Sequence, residues 1–195
     1  MINTAKKDTK NISDDQLNKI LNWLSLSSIS NDSFIGLIGG EPTLHPNFKN
    51  ILKKINTFNT LTNSKSIIFT NGLTLNEFLT DIGLNTSILV NVNNLSKDLK
   101  DKLLFNLNLI EQLGWFEIQK VNLGCNLYPE ENDYSFFWDI VDKFSISQVR
   151  MSVTSPSSKD YLNDKFTYYT KMKNIAFNFI EEAYKRHIKI TYDCN

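Results

Sequence analysis

The chain has 195 residues, 41% of them hydrophobic and 22% charged, which suits one globular domain with ample material for a core. Lysine plus arginine and aspartate plus glutamate number 21 each, so no net field favours nucleic acid or an anionic membrane surface. No apolar run approaches the roughly 18 residues that cross a bilayer. Residues 1–11 lack the apolar centre of a signal peptide, and the two cysteines, Cys125 and Cys194, fit neither a disulfide framework nor a local metal motif. The expected location is cytoplasmic.

In chain order, residues 1–12 carry no periodicity and read as an irregular lead-in to one domain over residues 13–195. Leu17, Ile20, Leu21 and Leu24 then share one helical face, and Ser13 with Gln16 has the spacing of a capping box. The apolar run 34–38 predicts a buried strand. It ends in Gly39 and Gly40, where missing Cβ atoms allow a sharp turn and close approach of a ligand. Glu41 stands at the strand's exit, Pro42 restrains the backbone, and Phe48, Ile51, Leu52 and Ile55 recur at helical spacing after Pro46.

The alternation continues. A second β-type run at 66–70 closes in Thr70-Asn71-Gly72, and Thr74 with Glu77 has capping spacing ahead of Leu75, Phe78, Leu79 and Ile82. A third strand is predicted at 87–93, a helix from near Ser96 through Ile110, and a fourth strand at about 117–124. Phe136, Phe137, Ile140 and Phe144 mark the next helix, followed by a strand at 149–154, a long helix at about 166–186 and a last strand at 188–192. No Gly-, Pro- or Ser-rich linker divides the chain, and strand-helix alternation of this kind means crossovers and a parallel sheet. Ligands in such sheets sit at the carboxyl ends of the strands. Residues 39–41, 70–72, 122–126 and 150–155 are expected there, with Asn91 and Asn93, which point to one face of their strand.

The string Gly39 to Pro46, Gly-Gly-Glu-Pro-Thr-Leu-His-Pro, closely resembles the turn after the second strand of radical S-adenosylmethionine (SAM) enzymes. The resemblance implies an α/β partial barrel, TIM-like, of about six parallel strands, in which Gly39, Gly40, Glu41 and Pro42 hold the amino end of the methionine moiety of SAM. It also implies that Thr70 and Asn71 end the family's third strand, that Asn91 and Asn93 approach the methionine or ribose, and that Asn122 lies against adenine or ribose. Arg150 offers a planar fork suited to a carboxylate such as that of SAM, with a structural ion pair as the competing reading. His45 is expected to stabilise its loop, His187 to end a helix, and Trp23, Trp115 and Trp138 to pack.

The chain departs from the family at its cluster. Radical SAM enzymes carry three cysteines, usually Cys-x3-Cys-x2-Cys, that hold a 4Fe-4S iron-sulfur cluster, and Cys125 and Cys194 do not match that loop. On this reading the first strand and the cluster loop of the family have no counterpart here, and Asp193-Cys194-Asn195 resembles the start of an extension. Two functions follow as expectations. With a cluster-bearing segment the protein reductively cleaves SAM to a 5'-deoxyadenosyl radical that abstracts hydrogen from a substrate, left open between peptide and small molecule. Alternatively it is a fragment or degenerate relative without catalysis, a scaffold for a ligand or partner. Neither nucleic acid nor membrane is an expected partner. The apolar run 34–38, lacking a neighbour on one side, is expected to pair with a second copy, and Ile35→Lys to oppose that.

Overall fold

A computed structural model describes residues 11–26, 34–93, 95–131, 133–154 and 165–192. The expectations for residues 1–10, Ser155 and residues 193–195, Cys194 included, lie outside these. Helix α1 (Asp14–Leu26) opens with the expected capping box: the Ser13 amide donates to Gln16 Oε1 at 2.8 Å and the Gln16 amide to Ser13 Oγ at 3.2 Å. Strand β1 (Phe34–Leu37) leads through a 3-10 turn (Pro42–Leu44) into α2 (Phe48–Thr62). Then come β2 (Lys65–Thr70), β3 (Thr86–Asn91), α3 (Lys97–Gln112), β4 (Val121–Leu127), α4 (Ser135–Lys143), β5 (Gln148–Val153), α5 (Lys165–Lys185) and β6 (Lys189–Tyr192).

All six strands run parallel in the order β1-β2-β3-β4-β5-β6, so each is a sequence neighbour of the one it pairs with. Alternate residues of the strands face the helices. Ile68, Ile88, Val90, Leu123 and Val149 are fully buried there with Leu52, Leu103, Leu107 and Ile140 of the helices. Each such side chain contributes about 1.5–3 kcal/mol of transfer free energy. A smaller cluster, Leu17, Leu21, Ile51, Ile55 and Phe58, joins α1 to α2, with Ile35 and Leu37 packed on it.

The opposite face changes character across the sheet. It carries Phe34, Ile67, Phe69 and Leu89 on the first strands, then Asn91, Asn122, Asn126, Gln148, Arg150 and Ser152. At the amino end of β2 and β3 a chain of polar contacts closes the sheet against α2. Asn59 Nδ2 donates to Ser66 Oγ at 2.9 Å, and the Ser66 and Thr86 hydroxyls lie 2.8 Å apart. Lys120 Nζ donates to the Gly83 carbonyl at 2.9 Å and sits 4.5 Å from the Trp115 ring centroid; burial lowers its pKa.

Three expectations need correction. The pattern 75–82 is no α-helix but two 3-10 turns, Leu75–Glu77 and Leu79–Asp81, and the Thr74 hydroxyl donates to Thr43 Oγ1 at 2.5 Å instead of capping. Strand β4 starts at Val121, because Trp115 to Gln119 form turns anchored by the Trp115 amide on the Ile110 carbonyl and by positive φ at Gly114 and Gln119. The run 34–38 is not a buried strand: Ile35 faces α1 and α2 half-buried, whereas Phe34 on β1 is 60% exposed and Ile38, just past the strand, 71% exposed, so the exposed side chain within the β1 edge is that of Phe34. Among the described residues β1 pairs with β2 alone, as expected of an edge.

Candidate functional site at the strand exits

The site is built around Glu41. Its Oε1 accepts from the Thr43 amide at 3.3 Å, Thr43 Oγ1 at 2.7 Å and Thr70 Oγ1 at 2.7 Å, and its Oε2 accepts from the Asn71 amide at 2.7 Å. Oε1 takes three of these contacts and Oε2 one, so a carboxylate with about four acceptor positions is held firmly through Oε1 while Oε2 can accept one more donor. Glu41 thereby ties the turn after β1 to the turn after β2. The second turn is braced in its own right: the Gly72 amide donates to Thr70 Oγ1 at 3.1 Å, the Leu73 amide to Asn71 Oδ1 at 2.9 Å, and Asn106 Nδ2 of α3 to the Gly72 carbonyl at 2.7 Å.

Gly39 and Gly40 lie beside this bracket with exposed backbone. The turn does not need glycine for its own geometry. Gly72 and Gly114 are the described glycines with positive φ, and a Cβ built on Gly39 or Gly40 meets nothing within 4 Å. What the missing side chains leave is open space against bare backbone, which suits close approach of a ligand. Pro42 begins the 3-10 turn, where no amide hydrogen is required. His45 serves its loop, Nδ1 accepting from the Asn47 amide at 3.0 Å, and His187, at φ 57°, ends α5. Trp138 is buried against Phe179, Trp115 lies under Lys120, and Trp23 is exposed on α1.

The strand register sorts the remaining residues into rows. Asn91, Gly124, Arg150 and Thr191 are lateral partners across β3 to β6, so Asn91 and Arg150 flank a glycine. A Cβ at Gly124 would stand 2.7 Å from Asn91 Oδ1, an atom that is buried and has no hydrogen-bond partner among the described residues. The Arg150 guanidinium lies 5.7 Å from the Phe69 ring centroid, reaching back toward β2 from the middle of its strand. One row nearer the exits, Ser152 Oγ donates to Asn126 Oδ1 at 2.6 Å, and Asn93 Oδ1 is another buried acceptor without a partner among the described residues. Asn122 does not join them. It is the second residue of β4, at the opposite end of the strand, where it lines a cavity of about 330 Å³ with Phe116, Phe144 and Gln148.

Sequence reading therefore finds Gly39, Gly40, Glu41, Thr70 and Asn71 in one assembly and Asn91 with Arg150 on the adjoining face. It misplaces Asn122 and misses Thr43 and Asn106, while Asn126 and Ser152 fall within the expected ranges 122–126 and 150–155 without being singled out. Asn126 and Ser152 carry a signal, alternation with Asn122 and Arg150, that a correct start for β4 would have exposed.

The described residues do not fit an iron-sulfur cluster. Cys125 is 2% exposed on the helix side of β4, and burial, with Glu131 adding, pushes its thiol up to about 12, whereas cluster iron is held by thiolates. Among the described residues no three His, Cys, Asp or Glu side chains converge to hold a metal, and no helix is long and apolar enough to cross a membrane. The strand exits bring together open glycine backbone, the Glu41 carboxylate and, among the described residues, an unpartnered acceptor at Asn91, a set chemically compatible with the polar ends of SAM.

These features define the class of the fold: an α/β partial barrel of sequentially ordered parallel strands, with polar residues at the strand exits and on the sheet face opposite the helices. Solved structures share it. SuiB of Streptococcus suis bound to S-adenosylmethionine aligns with TM-score 0.62 and 14% identity over 96% of this chain and 45% of that one. SuiB bound to the precursor peptide SuiA aligns at 0.60 and 14% over 95% and 43%, and SuiB itself at 0.54 and 14% over 92% and 43%. At this identity the likeness is one of fold, and the chain spans under half the length of SuiB. The partial barrel implied by the radical SAM resemblance is the fold found. No protein-family model and no curated protein sequence matches the chain.

Proposed function

We propose that this chain is a SAM-binding unit of the radical SAM type, its ligand lying across the exits of β1, β2 and β3. The observation that carries the reading is the Glu41 bracket, which joins Gly-Gly-Glu-Pro to Thr-Asn-Gly and leaves the Gly39 and Gly40 backbone open beside a carboxylate. Backbone carbonyls at the two glycines and the negative bracket suit an ammonium group, Asn91 a hydroxyl or amine, and Arg150 a carboxylate. SAM supplies all of these. Reductive cleavage of SAM belongs to a cluster that the described residues do not hold, so on this reading catalysis rests on thiolates from elsewhere. The scaffold reading, binding without chemistry, is favoured for the isolated chain by the burial of Cys125 on the wrong face.

Calorimetric titration with SAM tests the reading. Without iron to chelate the amino acid end, a Kd of about 0.1–1 mM is expected, equivalent to about −5.5 to −4 kcal/mol. Asn91→Leu is expected to weaken it about fivefold while leaving the melting temperature unchanged or raised, since the substitution removes an unmet acceptor. A titration without heat up to about 5 mM SAM, well beyond that range, refutes the proposal.

The same unit is expected to self-associate through the β1 edge. Phe34 is 60% exposed beside backbone groups that pair on one side only among the described residues, and edges of this kind recruit a second strand. Sedimentation velocity is expected to show oligomers that Phe34→Lys shifts toward monomer. Wild-type chain that stays monomeric at high concentration removes this expectation.

A further inference from the structure

The exits of β3 and β4 enclose a second, smaller cavity of about 50 Å³ that the SAM reading does not use. Val92, Asn93, Lys100, Asn126, Tyr134 and Phe136 form its principal walls. The strand register, which pairs Asn91 with Gly124, continues through the bond from the Val92 amide to the Gly124 carbonyl at 2.8 Å, so Asn93 stands beside Asn126. Their Cα atoms are thus about 5 Å apart, one inter-strand spacing.

The two amides present opposite chemistry to this space. Asn93 Oδ1 is a buried acceptor with no partner among the described residues. Asn126 Oδ1 is already taken by Ser152 Oγ at 2.6 Å, which fixes the orientation of that amide and turns its Nδ2 donor away from Ser152. A group that completes the pair has to donate to one side and accept from the other. A carboxylate meets the unpaired Asn93 oxygen as a second acceptor, and a cation meets Lys100, whose Nζ lies 4.6 Å from the Phe136 ring centroid at the wall. The carboxylates at the rim contact their own loop: Glu131 Oε1 accepts from the Asp133 amide at 3.0 Å and Asp133 Oδ1 from the Ser135 amide at 2.9 Å.

We infer that the cavity between Asn93 and Asn126 is a carboxamide subsite, taking one neutral amide group of a substrate that reaches the strand exits. This rests on the reading of those exits as the ligand face, and assigns Asn93 to the substrate instead of to SAM. The amide belongs either to an Asn or Gln side chain or to a peptide bond, which share the donor-acceptor pair. Phe136 and Tyr134 close the site around the flat group with apolar surface.

Two-dimensional NMR of the full chain, titrated separately with acetamide, N-methylacetamide and acetate, tests the inference. Acetamide stands in for a side-chain amide, N-methylacetamide for a peptide bond and acetate for a carboxylate. Saturable shifts of the Asn93 and Asn126 side-chain NH2 signals with at least one amide, and none with acetate, are expected at about 10–100 mM, the range open to a ligand of four or five heavy atoms. The stronger of the two amides identifies the source. Asn93→Leu and Asn126→Leu are each expected to weaken the response at least about tenfold, one lost hydrogen bond in a desolvated site, and Asn93→Leu to melt no lower than wild type. Equal response to acetate, no saturable shift with either amide, or an unchanged response in both variants overturns the subsite. SAM added to the same samples separates the two claims: SAM binding with no amide response removes the subsite alone, and amide response with no SAM binding removes the cofactor reading alone.

Discussion

Glu41→Ala is expected to destabilise the chain by about 2 to 4 kcal/mol and to abolish SAM binding. Hydrogen bonds to a charged group contribute about 1.5–3 kcal/mol each, and four that share one carboxylate add up to less than their sum. The substitution strands the Thr43 and Asn71 amides and both threonine hydroxyls at once, and it unties β1 from β2 at their exits. For a chain of this size the loss corresponds to a fall in melting temperature of about 5 to 15 °C, readable by circular dichroism. Glu41→Gln should fall between wild type and alanine, because an amide oxygen cannot accept four bonds and its NH2 faces donors. A Glu41→Ala chain that melts with wild type shows that the bracket does not hold the turns.

Gly72→Ala is expected to cost a further comparable amount, about 2 to 4 kcal/mol, for a different reason. Gly72 sits at φ 78°, and a Cβ there would stand 2.8 Å from both Leu103 Cδ1 and Val90 Cγ1. Neither neighbour has room to yield, since both are fully buried in the main core. The contrast is Gly39→Ala, which meets nothing within 4 Å and should change stability by less than about 0.5 kcal/mol. If Gly39 is bare for a ligand's sake, that variant loses SAM affinity at unchanged stability. Denaturant midpoints for the two alanines decide it: equal midpoints contradict the geometry at Gly72.

Much of the fold could be read before any coordinates, because apolar runs and helical spacing mark buried faces directly. The strands around Ile68, Ile88 and Val149 and the capping of α1 by Ser13 and Gln16 are cases in point. The failures have local causes. Leu75, Phe78, Leu79 and Ile82 keep a helical period, yet Thr74 spends its hydroxyl on Thr43 and the segment settles into 3-10 turns. Residues 117–120 extend the predicted fourth strand too early, because Trp115 is anchored to Ile110 and the segment turns, and the misplaced start of β4 carries Asn122 to the wrong end of the sheet. At the site, the two motifs were legible one at a time. Their union through Glu41 was not, because it joins residues about thirty positions apart by side-chain direction, which spacing does not encode.

The division of the interior into two clusters has a consequence for how the molecule opens. The larger cluster spans β2 to β5 and draws on α2, α3, α4 and α5, whereas the smaller draws on α1, another side of α2 and β1, with β1 held to the sheet along one side among the described residues. Cooperative units with fewer buried contacts exchange their amides through partial opening long before the whole chain unfolds. The α1-β1 end is such a unit, and Gly39 to Glu41 leave it on their way to α2. The Glu41 bracket therefore sits on a seam between an early-opening unit and a late-opening one, so a ligand seated across β1 and β2 would raise protection chiefly at the early end.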